Sequence, residues 1–442
     1  MSGELEPLYT AAEMKAAEEG HDVEAMMERA GSAVAAAVGR DYPGARVVAV
    51  CGKGANGGDG RIAARKLGAE VVEVGDPLPP ADVVVDAIFG TGSHGEPREE
   101  AARSIEAIRS AGVPVVSVDV PSGVDASTGE VAGTCVDASA TVTFHGEKVG
   151  LAVAPGSLRG GRVEVADIGL EPAETAHARV TSRFLRQLPR RERGGNKYRS
   201  GSVLVVGGAP GLTGAVCLAV EAAFRADAGY VSVAAPRESL PVVEARLLEA
   251  VKRPLEEALD AAGRAGSLAL GPGLGRATEA KQQVRELLEQ TDLPAVVDAD
   301  GLFSFEPVER LAGTVLTPHS GELARLLGVE AEWVDAHRLA AVALALERYR
   351  CVVLLKGSET IVAAPGERTL ISSGTPRLAT AGTGDVLTGI VAAFLAKGLE
   401  PRLAAAAAAR AHADAALAVP HERGMVASDV IAQLPGVLDA AL

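Results

Sequence analysis

A glycine-rich turn with one carboxylate stands before an apolar run in the last quarter of the sequence. The segment ATAGTGDVLTG, residues 379–389, places Gly382, Thr383 and Gly384 directly before Asp385, and the following apolar residues predict a helix. Backbone N–H groups at a helix N-terminus carry partial positive charge and favour an anion. Asp385 then stands where a base could deprotonate a hydroxyl that attacks a bound phosphoryl group. The simpler alternative is that Asp385 only caps the helix.

This turn is not a Walker loop, because it has no G-K-[ST] lysine. We therefore expect backbone amides and the helix dipole to meet the developing charge. Other polar residues of this half follow apolar runs; they are Asp298, Asp300, His319, Glu322 and Lys356, together with the glycine loop 271–275. Taken alone, His319 is more often a structural or capping residue, and Glu322 a first-turn acid.

The first half carries a second glycine motif, CGKGANGGDG, after an apolar run. It spells G-x-G-x-x-G at residues 52–57, a pattern found where phosphates meet a helix N-terminus. The same pattern recurs at residues 90–95, so it is weak evidence for a dinucleotide site. Asn56 and Asp59 are not needed by that fingerprint; turn formation or helix capping is their alternative role.

Two carboxylates, Asp86 and Asp119, end apolar runs and precede glycine or proline turns. Ligands of open α/β sheets bind beyond the carboxyl ends of the strands. We therefore expect both carboxylates to face one crevice together with Asn56. Oxygen ligands of this kind suit a hard cation.

The elements that must position these residues alternate between short Val- and Ile-rich runs and helical patterns, which predicts α/β domains. Helices are predicted at 58–68 and 99–112, and the Ala-rich segment 402–419 also reads as a helix. The predicted strands are 45–52, 69–75, 81–90 and 114–123, then 202–208, 229–236, 267–273, 294–301, 313–318 and 351–357. The charged segment 171–195 reads as a linker with a new first helix, so we predict two domains, 1–172 and 173–442.

Composition narrows the class of protein. The chain has 442 residues and a formal net charge of -15, which disfavours nucleic acid or an anionic membrane as partner. Its four cysteines form no C-x-x-C pair, the N-terminus lacks a secretory pattern, and no run of about 18 apolar residues predicts a membrane span. We expect a cytoplasmic enzyme.

Several segments together carry a family resemblance. GTGDVLTG after KGSET resembles the ribokinase-like superfamily, in which such a turn forms the anion hole and base. With LGPGLG, VVDADGL and LTPHSGELARLLG, the second half resembles ADP-dependent NAD(P)H-hydrate dehydratases. GKGANGGDGRIAARKL, VDAIFGTG, SVDVPSGVDASTGE and ATVTFHGEKVG resemble NAD(P)H-hydrate epimerase domains. Nearly the whole chain is covered, in the order of the bifunctional repair enzymes.

The resemblance implies two doubly wound three-layer domains, a Rossmann-like epimerase followed by a ribokinase-like dehydratase. Hydrated NADH or NADPH would be interconverted between R and S epimers, and the S epimer dehydrated with ADP, releasing AMP and phosphate. K⁺ is implied for the epimerase and Mg²⁺ for the dehydratase. NAD(P)H-hydrate and ADP are the implied partners, without nucleic acid or membrane. We also expect a homo-oligomer.

The resemblance also implies site residues. Asp385, Asp119 and Lys148 would be catalytic, the last two through proton transfer. Hydrate contacts would be Ala55, Asn56, Gly57, Gly58, Asp59, Gly90, Thr91, Gly92, Ser93, His94, Gly95, Glu96 and Asp119 in the first domain, and Ala215, Gly273, His319 and Asp385 in the second. The nucleotide would contact Lys356, Gly357, Ser358, Glu359, Thr360, Thr380, Ala381, Gly382, Thr383 and Gly384. Potassium ligands would be Asn56, Asp86 and Ser122.

Three positions depart from the family pattern. Ala55 stands where a second Asn is usual, Ser320 replaces Pro and Gly301 replaces Ala. We expect Ala55 to weaken a side-chain contact in the epimerase pocket. Two alternatives stay open: a small-molecule kinase of the same superfamily, and a first domain that serves as a scaffold in RNA metabolism. The sequence leaves open ADP against ATP and NADH-hydrate against NADPH-hydrate.

Overall fold

The structure, a computed structural model, describes residues 4–191, 194, 197–198, 200–303, 305–307 and 313–441. The chain divides into two compact units. The first unit comprises Pro7–Ala178 and Asp335–Arg338, and the second comprises Met1–Glu6, Arg179–Val334 and Leu339–Leu442. Each unit is a separate α/β assembly.

The elements up to residue 180 belong mainly to the first unit. The strands are β1 (Leu5–Tyr9), β2 (Val47–Cys51), β3 (Glu70–Glu73), β4 (Val83–Ala87), β5 (Val115–Val118), β6 (Ala140–Phe144), β7 (Glu147–Lys148), β8 (Arg162–Ala166) and β9 (His177–Val180). The helices are α1 (Ala11–Glu18), α2 (Val23–Asp41), α3 (Ala55–Leu67), α4 (Glu99–Ser110) and α5 (Val149–Ala152).

The remaining elements belong mainly to the second unit. The strands are β10 (Ser202–Val206), β11 (Tyr230–Ala235), β12 (Val251–Pro254), β13 (Ser267–Leu270), β14 (Ala295–Val297), β15 (Thr314–Leu316), β16 (Val352–Leu355), β17 (Glu359–Ala363) and β18 (Thr369–Ser373). The helices are α6 (Thr213–Arg225), α7 (Leu240–Arg246), α8 (Ala258–Ala262), α9 (Thr278–Gln290), α10 (Ser320–Leu327), α11 (Ala331–Ala336), α12 (Arg338–Tyr349), α13 (Thr383–Ala396), α14 (Pro401–Ala418) and α15 (Ala427–Ala440).

In the first unit, six strands form a parallel sheet in the order β3-β2-β4-β5-β6-β8. Alternate residues of β4 point to opposite faces: Val83 and Val85 pack in the core beneath α2 and α3, and Val84 packs with α4. A sheet covered on both faces must be apolar throughout, which is why these strands read as continuous Val runs. The unit therefore has three layers.

In the second unit, the strand order is β12-β11-β10-β13-β14-β15-β16-β17-β18. The pairs from β12 to β16 are parallel, and β17 and β18 add an antiparallel hairpin. Because β10, β13, β14 and β15 are parallel, the loops that follow them emerge at one edge. This edge carries most of the predicted dehydratase residues.

Helix α13 is buried along almost its whole length and packs against α6. A Cβ on Gly389 would lie 2.1 Å from the Ala219 carbonyl oxygen, so glycine permits this close helix crossing. The Ala-rich segment forms α14, whose small side chains are almost all buried. The helix predicted there is confirmed.

The ten predicted strands and the helices at 58–68 and 99–112 are confirmed. The predicted linker 171–195 is wrong in part, because β9 lies within it and its helix is a short 3-10 helix, Ser182–Gln187. Residues 192, 193 and 195 of that segment lie outside the described residues. Among the helices that the structure describes, none has the length and apolar character needed to cross a bilayer.

Candidate functional site

The first turn of α3 presents Asn56 and Asp59 to the carboxyl edge of the first sheet. The residue that caps α3 is Gly54, which has no side chain, so the capping role considered for Asn56 and Asp59 is wrong. Asn56 Nδ2 instead donates a hydrogen bond of 2.7 Å to the Phe89 carbonyl. A Cβ on Gly90 would lie 2.9 Å from Asn56 Oδ1, so a larger residue at this position would have to displace the Asn56 side chain.

Asp86 is fully buried at the end of β4 and is held by serine donors. Ser122 donates to it through Oγ at 2.6 Å and through its backbone N–H at 2.9 Å, and Ser117 Oγ donates at 2.8 Å. Burial raises the pKa of the Asp86 carboxyl, and these hydrogen bonds oppose the rise. The structure thus brings Asp86 and Ser122 together beside the Phe89 loop that Asn56 contacts.

Asp119 follows β5 in a left-handed conformation, with φ of 68°. A non-glycine residue in this region is strained, and such strain concentrates at functional sites. Its carboxylate lies 2.8 Å from Lys148 Nζ and accepts a hydrogen bond of 3.1 Å from Thr143 Oγ1. The Thr91 N–H also faces it at 3.3 Å. Asp119, Lys148 and the start of the 90–96 loop therefore meet, as predicted.

The far part of that loop, His94–Glu96, is exposed, and no described contact joins it to Asp119. Ala55 is exposed at the beginning of α3. The hydrate contacts predicted at these positions therefore stay predictions. Thr143, which holds Asp119, was not picked out by sequence reasoning; its only signal is a polar residue in the buried strand β6.

Asp59 is buried next to this cluster. Burial raises the pKa of its carboxyl to about 8, and the charges of Asp119 and Glu18 add to the rise. Its Oδ1 has no hydrogen-bond partner among the described residues. A carboxyl in this state holds a proton at neutral pH and can donate it to a bound molecule.

Asp59→Asn is expected to stabilise the protein at pH 7.5. Since Asp59 keeps its proton in the folded protein and loses it above about pH 4 in the unfolded chain, its contribution to wild-type stability falls as pH rises from about 4 to 8. The variant lacks this penalty, so its free energy of unfolding should exceed wild type by about 1–3 kcal/mol at pH 7.5 and match it near pH 4. Urea unfolding at several pH values measures this. Asp76→Asn, at an exposed position, is the control; an unchanged difference across pH would contradict the expectation.

In the second unit, the glycine turn begins α13 as predicted. Gly382 is the N-cap residue with φ of 89°, a left-handed conformation that glycine adopts at no steric cost. Asp385 lies in the first turn of α13 without capping it. Burial raises the pKa of its carboxyl to about 7; Asp298 adds to the rise and Lys356 opposes it.

We expected backbone amides and the helix dipole alone to meet negative charge at the 382–384 turn. The structure differs, because the side chain of Lys356 also reaches this turn. A Cβ on Gly384 would lie 3.6 Å from Lys356 Nζ, although the two residues are far apart in sequence. Lys356 Nζ donates to Asp298 Oδ1 at 2.7 Å, and Glu322 Oε2 lies 3.7 Å away. Thr388 Oγ1 donates to the other Asp298 oxygen at 2.6 Å. A lysine ammonium therefore lies beside the N-terminus of α13, held by the buried Asp298 carboxylate.

His319 is the N-cap of α10. Its Nδ1 accepts hydrogen bonds from Gly321 N–H at 3.0 Å and Glu322 N–H at 3.4 Å, and Glu322 Oε2 accepts from the His319 N–H at 2.9 Å. The capping role is therefore real, and the imidazole is also exposed at the site edge. Nδ1 must be unprotonated to accept, which leaves Nε2 to carry the proton. Its contact with the hydrate stays a prediction.

The two predicted nucleotide segments are neighbours. Lys356–Ser358 forms the turn before β17, and Gly374 N–H donates to the Ser358 carbonyl at 3.0 Å, just before the 380–384 turn. The Glu359 side chain is buried, so any contact there would use the backbone. Two predicted hydrate contacts, Gly273 and Ala215, lie next to each other, since a Cβ on Gly273 would be 3.1 Å from the Ala215 Cβ.

An α/β unit in which a glycine turn begins a buried helix, with a carboxylate and a lysine beside that turn, is typical of ribokinase-like proteins. Comparisons with known proteins agree. A family model described as NAD(P)H-hydrate dehydratase matches residues 203–435, and one described as YjeF-related protein N-terminus matches residues 23–79 and 68–150.

Relatives match over nearly the full length. A bifunctional NAD(P)H-hydrate repair enzyme of Moorella thermoacetica is 39% identical, over 93% of this chain and 92% of that protein. The Escherichia coli enzyme of the same description is 33% identical, over 94% and 89%. The structure of an ADP/ATP-dependent NAD(P)H-hydrate dehydratase from Bacillus subtilis, co-crystallised with ATP/Mg²⁺, matches 59% of this chain and 98% of its own, at 27% identity and a TM-score of 0.55.

This chain belongs to the family of bifunctional NAD(P)H-hydrate repair enzymes. The family, the enzyme class and the α/β fold with Rossmann-like and ribokinase-like domains are thereby confirmed as predicted.

Proposed function

We propose that this chain repairs hydrated nicotinamide cofactors in two steps. Residues 1–172 interconvert the R and S epimers of NAD(P)H-hydrate, and residues 173–442 dehydrate the S epimer with ADP, releasing AMP and phosphate. The observation that carries the second step is Asp385, a carboxyl with a pKa of about 7 beside the N-terminal amides of α13. Membership in the repair-enzyme family supports the pairing of the two reactions.

Hydroxide is a poor leaving group, so the ring hydroxyl is phosphorylated before it is eliminated. Asp385 takes the proton of the ring hydroxyl. At the same time the hydroxyl oxygen attacks the β-phosphorus of ADP, and AMP departs. The amides of residues 382–384 and the Lys356 ammonium stabilise charge on the transferred phosphoryl group. The ring C–O bond then breaks, phosphate leaves with the bonding electrons, and loss of a proton from the adjacent ring carbon restores the double bond.

The epimerase step is assigned to Asp119 and Lys148. Their buried ion pair of 2.8 Å supplies an acid and a base within one hydrogen bond of each other. Asp59, which holds a proton at neutral pH, is a second donor toward the same crevice. Contacts from the 55–59 and 90–96 segments would position the hydrate there.

Potassium would be held by Asn56, Asp86 and Ser122. The donor set fits a hard cation. Asn56 donates through Nδ2 to the Phe89 carbonyl, and its Oδ1 accepts no hydrogen bond from the described residues. A bound potassium ion would fix an oxygen-rich crevice and offset the charge of Asp86. This chain's residues supply the rest: Ser117 and Ser122 orient the Asp86 carboxylate.

Magnesium would accompany the nucleotide phosphates. Within the described residues no group of three His, Cys, Asp or Glu side chains could hold a metal. Mg²⁺ characteristically binds through one or two carboxylates plus substrate phosphates, which suits a site with Asp298 and Glu322 nearby. When bound it would neutralise phosphate charge. A cytoplasmic location and a homo-oligomer remain part of this proposal.

Product analysis separates this reaction from that of a small-molecule kinase. Incubation with S-NADH-hydrate and ADP should release AMP and inorganic phosphate in equal amounts, matching the NADH formed. A kinase would instead accumulate a phosphorylated product without free phosphate. That outcome would replace the dehydratase assignment. Repeating the assay with ATP settles which nucleotide is the donor.

The dehydratase rate should rise with pH through neutrality. Asp385 acts as a base only when ionised, and its pKa is about 7. We therefore expect kcat/KM to increase about tenfold per pH unit below that value and to level off above it. Initial rates of phosphate release between pH 5.5 and 8.5 measure this profile. A rate that is flat across this range would contradict the base assignment.

A further inference from the structure

Three basic side chains surround one aromatic ring in the second unit. The Phe303 ring centroid lies 4.4 Å from Lys281 Nζ, 4.9 Å from the Arg276 guanidinium carbon and 5.5 Å from that of Arg325. We call these three cations the basic patch. They come from the loop after β13, from α9 and from α10, so the fold assembles them from separate segments.

The basic patch gathers three cations in an acidic chain. Arg276 is paired with Asp300 at 3.3 Å, whereas Arg325 is exposed and has no ion-pair partner among the described residues. Three like charges around one ring repel one another, and cation–π attraction to the ring offsets this only in part. A bound anion would relieve the repulsion.

A pocket of about 260 Å³ opens beside the basic patch and is lined by Phe303, by the bases Lys281 and Arg285, and by the acids Asp300 and Glu306, among others. It lies between α9 and the segment that follows β14, near the carboxyl edge where Gly273 also lies. The link is direct, because the Gly275 N–H donates to Asp300 Oδ2 at 2.9 Å. Arg325 lies on α10, whose N-cap is His319. The patch thus adjoins the residues predicted to contact the hydrate.

We propose that the basic patch binds a phosphate group of the dinucleotide substrate, either the 2′-phosphate of NADPH-hydrate or the pyrophosphate common to both hydrates. This inference rests on the proposed dehydratase function. With the reacting ring at Asp385 and ADP along residues 356–360 and 380–384, the remainder of the dinucleotide must extend along another part of this edge. That remainder carries the phosphates, and Arg and Lys are the side chains that recognise them.

The test compares Lys281→Gln/Arg325→Gln with wild type in steady-state kinetics on S-NADPH-hydrate and S-NADH-hydrate. We expect KM for the hydrate to rise about tenfold, a loss of about 1.4 kcal/mol, with kcat and the KM for ADP unchanged. A rise confined to NADPH-hydrate identifies the 2′-phosphate; an equal rise for both identifies the pyrophosphate. Added salt should raise the wild-type KM more than that of the variant.

Matched variants exclude a merely structural role. Arg264→Gln removes one exposed charge at the opposite edge, before β13, and should leave every KM unchanged. Arg325→Lys keeps the charge and should keep most of the affinity. Unchanged hydrate KM values in the double variant, or a rise in the KM for ADP alone, would overturn the inference. Failure of wild type to dehydrate either hydrate would instead refute the proposed function itself.

Discussion

Replacing Asp385 by asparagine is expected to lower kcat of ADP-dependent NADH recovery by about 100- to 10,000-fold, the range that a lost general base produces. The reason is specific to its position. Asp385 lies in the first turn of α13 without serving as the cap, and burial holds the pKa of its carboxyl at about 7. Asparagine keeps the shape of the side chain and cannot accept the hydroxyl proton. Phosphate release from S-NADH-hydrate measures the effect.

The control for this variant is Asp292→Asn, an exposed carboxylate before β14 at the opposite edge of the second sheet. It should retain full activity. The epimerisation rate of Asp385→Asn should also equal wild type, because that reaction is assigned to the other unit. If Asp385 were only a first-turn acid, its loss would cost about 0.3–1 kcal/mol of stability and leave the rate intact. Full activity would therefore remove Asp385 from the mechanism.

Lys148→Met is expected to abolish epimerisation and to destabilise the protein. Lys148 is fully buried, and besides Asp119 it donates to the Phe144 carbonyl at 2.7 Å and the Gly146 carbonyl at 3.2 Å. Methionine leaves a buried carboxylate without its counter-charge, a change that costs about 3–5 kcal/mol. Urea unfolding measures the stability, and the interconversion of R and S hydrates measures the activity.

A double variant separates the two effects. Lys148→Met/Asp119→Asn has no unpaired buried charge at this pair, so part of the lost stability should return. Epimerisation should stay absent, because both members of the proton-transfer pair are gone. Dehydration of the pure S epimer should continue in either variant as an internal control. Wild-type epimerisation by Lys148→Met would show that the pair is structural only.

Much of the fold could be predicted because buried parallel strands leave a direct record in the sequence. Runs such as VVVDA at 83–87 are apolar on both faces since helices cover both sides of the sheet. The turn at Gly382 could be predicted from nearby residues, because glycine favours its left-handed backbone and the apolar run that follows indicates a helix. The antiparallel hairpin β17–β18 was missed, because its short strands ETIVA and TLISS mix polar with apolar residues.

The candidate sites were predicted less completely, because their contacts join residues distant in sequence. Nothing local indicates that Lys356 reaches Gly384, or that Asp298 holds it together with Thr388. The turn itself has no lysine, and from this we wrongly expected backbone amides and the helix dipole to act without one. His319 shows the opposite case: its capping geometry with Glu322 is local and was foreseen as an alternative.

The most direct test of the repair function follows absorbance while the protein acts on racemic NADH-hydrate with ADP, Mg²⁺ and K⁺. Complete recovery of NADH from both epimers is the predicted result, because one chain would then supply epimerisation and dehydration. Recovery that stops after the S fraction would contradict the epimerase assignment, and no recovery at all would contradict the account as a whole.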